Sequence, residues 1–390
     1  MESLPFLVKW FFFDDNQRVP KKRLPETIPN LKIFLEKSDH LKVIWLGHST
    51  LLINLGGTII LLDPIFSVAA SPVPFVVKRF QPPVIKLTDL PHVDYVVISH
   101  DHYDHLDRDT VKYFKDKKTL FLAPLGVGSH LKGWGISKER ITELDWWGEV
   151  KRDGITFTAT PAQHFSGRGL FNHNKTLWAG WVLEKGPHKV FFSGDSGYDT
   201  HFKKIGEKLG PFELVFLDIG QYNILWKDVH LFPKEVPKAY FDLKANYLIP
   251  IHWAMFEIAM HPWFEPGEKL GEKARLILGD KLTGRVGSES YDTVCGPEPA
   301  DIKFSHLAIG SSMVLNDAPH KKYPGENSNA LVNGIGGTIN YRDPSWQGYE
   351  AKDLIATIDL GEIKSISSIR VRFLQDQVVW IFLPKKIQIE

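Results

Sequence analysis

The sequence predicts a layered α/β protein followed by a shorter all-β segment, and three observations carry that expectation. Apolar runs of strand length, such as VDYVVIS at 93–99, alternate with amphipathic helical stretches through the first 280 or so residues. Around 280–303 the composition shifts to Gly, Ser, Pro and acidic residues, as in a linker. Beyond it helical periodicity disappears, and short strands such as LIATIDLG, SISSIRVRFL and VVWIFLP alternate with turns.

Taken in order, residues 1–40 are mixed in character, basic at Lys21, Lys22 and Arg23, and read as an arm lying on the surface. LKVIWLGHSTLLINLGGTIILLDP, from Leu41, reads as strands folded about a two-residue hairpin at Gly56-Gly57. The run 93–99 lacks polar alternation, the signature of a strand covered on both faces. Residues 107–117 carry acidic groups early and lysines late, which suits the helix dipole. Further strands are expected at 119–123, 155–160, 177–184, 188–193, 213–218 and 246–251, with helices at 199–209, 233–243 and 267–279. The resulting division is an arm (1–40), a main domain (41–283), a linker (284–303) and a β segment (304–390).

Composition narrows the function. Lys and Arg number 47 against 46 Asp and Glu, a net charge of +1, so the basic excess of a nucleic-acid binder is missing and no nucleic-acid partner is expected. A single cysteine, Cys295, removes both an intrachain disulfide and any thiolate-rich zinc site. The apolar patch Leu4–Phe13 is broken by Lys9, runs into Asp14 and Asp15, and has no cleavage site of a secretory signal. No stretch reaches the ~18 apolar residues of a membrane span. A cytoplasmic protein is expected, with peripheral contact to a membrane left open.

The chemistry concentrates in the six residues after the strand 93–99. His100-Asp101-His102-Tyr103-Asp104-His105 holds three imidazoles and two carboxylates, in a chain with 16 histidines among 390 residues. Two apart on extended backbone, His100 and His102 point the same way and can share one ion. Asp104 and His105 follow as the chain turns, and can serve a second. Imidazole and carboxylate donors without sulfur suit zinc, with iron or manganese as the other candidates. Later groups follow strands: His164 after TFTATPAQ, Asp195 after VFFSG, His252 after YLIPI.

Asp63 in LLDP, the His-x-His-x-Asp-His run, His164, Asp195 and His252 together resemble the metallo-β-lactamase fold superfamily over residues 40–283. The resemblance implies a four-layer αβ/βα sandwich with two metals at one edge. It also implies that His100, His102 and His164 hold one ion, Asp104, His105 and His252 the other, Asp195 bridges both, and Asp63 orients a ligand. The phrases PAQHFSGRGLFNHNKTLWAGWVLE, VFFSGDSGY, DVHLFPKE and PIHWAMFEIAMHPWFEP resemble the bacterial relatives of N-acyl-phosphatidylethanolamine-hydrolysing phospholipase D. Where that branch usually carries Gly-Ala-Tyr, this chain has Gly220-Gln221-Tyr222.

The implied activity is that of a di-zinc phosphoric diester hydrolase, phospholipase D-like. It would act on a phospholipid or related phosphodiester through a metal-bridging hydroxide that Asp104 can aim. His230, in KDVHLFPKE, is the candidate proton donor to the leaving group, since an imidazole can supply a proton near neutral pH. The competing readings are a metal-dependent lactone or carboxylic-ester hydrolase, and a carbohydrate-binding protein acting through the C-terminal segment. Arg168 is either a phosphate contact or a solvated loop residue. Of Trp134, Trp146, Trp147, Trp178, Trp181, Trp226, Trp253 and Trp263 most are expected in the core, with any at the cleft mouth favouring an apolar ester.

The segment after the linker resembles the coagulation-factor type C, discoidin-like, galactose-binding β-sandwich of bacterial hexosaminidases, through NALVNGIGGT, WQGYEAKDLIATIDLG and FLQDQVVWIFLPKK. It implies a partial, jelly-roll-like sandwich that stops where relatives continue for several strands, from an incomplete record or from two coding regions joined at 284–303.

Overall fold

Two six-stranded mixed sheets, the first with two antiparallel and three parallel pairings and the second with three antiparallel and two parallel, organise the first of two compact units into which the chain divides. The computed structural model describes residues 17–169, 172–278 and parts of 302–366. The first sheet runs in sequence order through β1 (Lys42–Trp45), β2 (Leu51–Leu55), β3 (Thr58–Leu62), β4 (Tyr95–Val97), β5 (Leu120–Pro124) and β6 (Ile141–Leu144). The second contains β7 (Glu149–Arg152), β8 (Ile155–Thr160), β9 (Gly180–Lys185), β10 (His188–Phe192), β11 (Phe212–Asp218) and β12 (Ala245–Ile251), also in order. β2 and β3 pair through the two-residue turn Gly56-Gly57, with Leu55 opposite Thr58.

Strand alternation explains the layers. Ile53, Leu55, Tyr95, Phe157, Trp181 and Phe216 point into a core formed by both sheets. Their neighbours Leu52, Leu61 and Val96 point the other way, where they pack with Phe34, Val111 and Leu131. Those last three belong to helices α1 (Leu31–Leu35), α2 (Arg108–Tyr113) and α3 (Gly128–Gly133). On the far face of the second sheet, Phe191 and Val215 pack with residues of α4 (His201–Lys208), α5 (Val236–Asp242) and α6 (Glu265–Leu278). The order helix, sheet, sheet, helix is the expected four-layer sandwich.

Three details depart from the sequence expectation. The helix expected over 107–117 is shorter, because Arg140 captures the carbonyls of Phe114, Lys115 and Lys117 beyond its end. β6 and β7 were not anticipated: each is a four-residue strand at the edge of its sheet, where Glu143, Lys151 and Arg152 mask the pattern. Within the arm, residues 17–40 include α1, Leu24 donates its N–H to Gln81, and Arg18 pairs with Glu257 at 3.1 Å.

The second unit contains two antiparallel strand pairs among its described residues. β13 (Ile302–Lys303) pairs with β15 (Ile335–Gly336), and β14 (Ser312–Leu315) with β16 (Ala356–Asp359). β16 falls within the strand expected at LIATIDLG. The run VVWIFLP, most of SISSIRVRFL and nearly all of the linker lie outside the described residues. No helix among the described residues is long and apolar enough to cross a membrane.

Candidate metal centre

The ends of six strands supply the site. Asp63 follows β3, His100 follows β4, His164 follows β8, Asp195 follows β10, Asp218 ends β11 and His252 follows β12. Each of these strands is buried toward its C-terminal end, and the polar side chains of the site come at or just after that end. The backbone there is forced: Asp63, His252 and His48 adopt positive φ of 38°, 68° and 52°. Gly220 is needed for close approach, since a Cβ on it would lie 2.0 Å from the carbonyl oxygen of His252.

All seven residues expected as ligands come together. One group contains His100, His102, His164 and Asp195, and a second contains Asp104, His105 and His252. Asp195 links them: its Oδ2 lies 3.8 and 3.7 Å from Nε2 of His100 and His164, and 3.1 Å from Nε2 of both His105 and His252. Asp104 Oδ2 lies 3.2 Å from His252 Nε2 and 3.5 Å from His105 Nε2.

Hydrogen bonds behind the rings decide which nitrogens face inward with a lone pair. His164 Nδ1 donates to the carbonyl of Val229 at 2.9 Å, so its Nε2 is unprotonated in the neutral ring. Ser99 Oγ donates to Asp63 and therefore accepts from His100 Nδ1 at 2.9 Å, which leaves His100 Nε2 with its lone pair. These two lone pairs converge on His102 Nδ1, at 2.8 and 3.2 Å. One proton on His102 cannot serve both, whereas one cation can. In the second group His105 Nδ1 donates to Asp63 Oδ2 at 2.7 Å, turning the lone pair of Nε2 toward Asp195 and Asp104. Asp195 Oδ1 is buried without a hydrogen-bond partner. Buried polar atoms are seldom left so, and a pair of ions fits both groups.

Electrostatics agree. Burial, followed by neighbouring imidazoles, holds His100 well below the ordinary histidine range and therefore neutral. Burial likewise dominates at His164, despite Asp195. Burial pushes His105 and His252 down too, but the Asp195 carboxylate, with Asp104 and Asp218 respectively, holds both well above it. Without a metal, that group draws in protons where positive charge is required.

Two members were not anticipated. His48, in the β1–β2 turn, places Nε2 2.9 Å from Asp104 Oδ2, and its carbonyl accepts the His252 N–H at 2.9 Å. Asp218 places one oxygen 3.1 Å from His252 Nδ1 and the other 2.7 Å from His230 Nδ1. His230 is nearly buried, stacks on His252 at 5.0 Å and lies 4.0 Å from Asp195 Oδ2. Asp63 sits behind His105, off the central cluster. Gln221 is buried and accepts the Ala259 N–H at 2.8 Å, tying the loop after β11 to that after β12. Trp181 is fully buried, while Trp253 is half-buried and stacks with Trp45 at 6.2 Å. Arg168 is drawn inward against the turn 101–106 rather than solvated.

Sequence comparison bears on the same residues. The profile described as Beta-lactamase superfamily domain matches residues 58–253, half of the chain. The chain belongs to this superfamily. Its fold is the metallo-β-lactamase α/β fold, with two mixed sheets. The superfamily domain is similar to an uncharacterized protein of Mycobacterium tuberculosis, at 45% identity over 64% of this chain and 68% of the relative. It is similar also to N-acyl-phosphatidylethanolamine-hydrolyzing phospholipase D 1 of Caenorhabditis elegans, at 38% identity over 66% of this chain and 77% of that protein. Among solved structures, the metallo-beta-lactamase fold protein YhfI from Bacillus subtilis matches with a TM-score of 0.42 and 17% identity, over 59% of this chain and 85% of that one.

Proposed function

We propose that this superfamily member is a two-metal phosphodiesterase of the phospholipase D-like kind, with zinc as the leading metal. The observation that carries the reading is the Asp218–His230 pair set beside the shared carboxylate Asp195. His100, His102 and His164 would hold one ion, Asp104, His105 and His252 the other, with Asp195 common to both. Ions there would supply Lewis acidity and a water acidified toward neutral pKa.

The chain's own residues do the rest. Asp218 accepts from His230 Nδ1 and fixes the ring, leaving Nε2 as the atom that exchanges a proton. When the phosphorus–oxygen bond to the alcohol breaks, the electron pair stays on the departing oxygen and the proton from His230 Nε2 neutralises it. Asp104, held by His48, can accept a hydrogen bond from the attacking water and aim it. Two features support a lipid substrate at a membrane surface. The worm relative is named for hydrolysis of N-acyl-phosphatidylethanolamine. Ile224 and Leu225, on the loop between Asp218 and His230, are 74% and 59% exposed.

Elemental analysis after zinc reconstitution should give about two ions per chain. A value near zero would remove the metal reading. A panel of phosphodiesters, lactones and glycans then separates phosphodiesterase from ester hydrolysis and from sugar binding by the second unit. His230→Ala should keep both ions and lose on the order of 10²-fold in turnover on an alkyl phosphodiester, but less on a nitrophenyl one, which needs little protonation. Equal losses on both would assign His230 to positioning alone.

A further inference from the structure

We infer that Arg168 is a positioning residue: its guanidinium locks the turn 101–106 to the loop after His164, so that the two segments bring their imidazoles to one point. The inference rests on reading that point as a metal centre, although the lock itself is visible in the bonds.

His102, Asp104 and His105 all sit in this turn, which leaves β4 and is closed by the N–H groups of His105 and Leu106 donating to the carbonyl of His102 at 3.2 and 2.8 Å. A turn this tight points other carbonyls outward. Arg168 Nη1 donates to two of them, Asp101 and Leu106, each at 2.7 Å. Its guanidinium carbon stands 3.9 Å from the Tyr103 ring centre and 5.1 Å from that of Trp134. The connection runs both ways, because Tyr103 donates its hydroxyl to the Arg168 carbonyl at 2.9 Å and the Gly167 N–H donates to Asp101 Oδ1 at 2.7 Å.

Asp101 directs its other oxygen to His130 Nε2 at 3.3 Å, so the carboxylate is engaged from both sides. The contacts above therefore join two stretches some sixty residues apart in the chain. Four residues before Arg168, His164 presents Nε2 3.2 Å from His102 Nδ1. Without the lock His164 keeps its Nδ1 bond to Val229 and His102 its contact with the Phe165 ring, but the hydrogen bonds that tie the turn to the loop are gone, and two ring nitrogens do not hold each other without an ion between them.

The chemistry favours arginine over lysine. A planar guanidinium lies flat on an aromatic ring while its edge donates to carbonyls in the same plane. An ammonium can reach one or the other. Nη1 is committed to carbonyls of the turn, which is not the arrangement of a group waiting for a phosphate.

The test uses the full chain as wild type, Arg168→Ala and Arg168→Lys. Amide exchange in metal-free protein reads the lock alone: the His105 and Leu106 amides should exchange on the order of 10-fold faster or more in Arg168→Ala, with amides of β10 and β11 unchanged. Zinc affinity, from competition with a chelator, should fall by about 10–100-fold, as when other outer supports of a metal site are lost. The visible spectrum of the cobalt-substituted protein should change with it. Added guanidinium ion, far below denaturing concentration, should restore part of both in Arg168→Ala, and Arg168→Lys should remain impaired. Should Arg168→Ala fail to fold, the same exchange and affinity shifts, smaller in size, are expected of Arg168→Lys. Unchanged exchange and unchanged zinc affinity, with only a higher KM for a phosphodiester, would overturn the inference and make Arg168 a substrate contact. Faster exchange in a protein whose wild type takes no zinc would uphold the lock and overturn the metal reading.

Discussion

The two groups of imidazoles are anchored by different chemistry. His100 and His164 are braced from behind by neutral oxygens, the Ser99 hydroxyl and the Val229 carbonyl. His105 is braced by the carboxylate of Asp63, and His252 Nδ1 faces that of Asp218 at 3.1 Å. A carboxylate behind an imidazole raises its basicity and resists ring rotation more than a neutral acceptor does. The second group should therefore bind its ion more tightly and depend more on its buried acids. The first should depend more on how its chain segments are held together.

Asp195 lies outside this contrast, because both groups face its Oδ2. Asp195→Ala should produce the largest effect, with neither ion retained by elemental analysis and turnover lost by several orders of magnitude. Retention of one ion would show that the groups bind independently.

Asp63→Asn comes next and cuts between the groups. It should weaken the ion at His105 by about 10–100-fold while leaving the ion at His100 nearly intact, as read from a two-step zinc titration. Equal weakening of both would end the distinction, and would point to Ser99, which bonds both Asp63 and His100, as a link between them. His48→Gln should act on the same ion more weakly, at most about 10-fold, because His48 steadies Asp104 and lies against it from one side only.

The smallest effect on the site concerns the support behind Asp195. His201 lies with Nε2 3.0 Å from Ser196 Oγ, and Ser196 in turn accepts the Gln163 N–H, next to His164. Burial pushes the His201 imidazole down from 6.5 to about 4. Between those values the unfolded chain binds the proton that the folded one excludes, so folding stability falls as pH drops through that window. The loss is complete below about pH 4 and amounts to roughly 3 kcal/mol. His201→Gln should leave activity near neutral pH almost unchanged and flatten that part of the stability profile. Urea melts at about pH 7 and pH 5 decide it, and an unflattened profile would place the acid sensitivity in the metal groups instead.

His100, His102, Asp104 and His105 were legible because one strand end and its turn hold them all, and a spacing can be read along a chain. His164, Asp195 and His252 were legible because each follows closely on the end of an expected strand. Asp218 ends the run LVFLD in the same manner and could have been read by the same rule. His48 carries no such mark: it sits between Gly47 and Ser49 in a turn, and nothing in its neighbourhood along the chain points to Asp104. Arg168 could be noticed but not understood, since a loop arginine is compatible with phosphate, water or carbonyls until its neighbours are known.

By itself, the sequence determined the alternation of buried strands and amphipathic helices, and with it the layers and the edge where polar groups must gather. Periodicity and strand ends are local properties, and local properties survive in one dimension. Only the tertiary structure decided which acid stands behind which imidazole, that His48 reaches Asp104, and that Arg168 turns to the ligand-bearing turn. Those pairings depend on the approach of segments far apart in the chain, and that approach is set by packing across two sheets rather than by any spacing along the sequence.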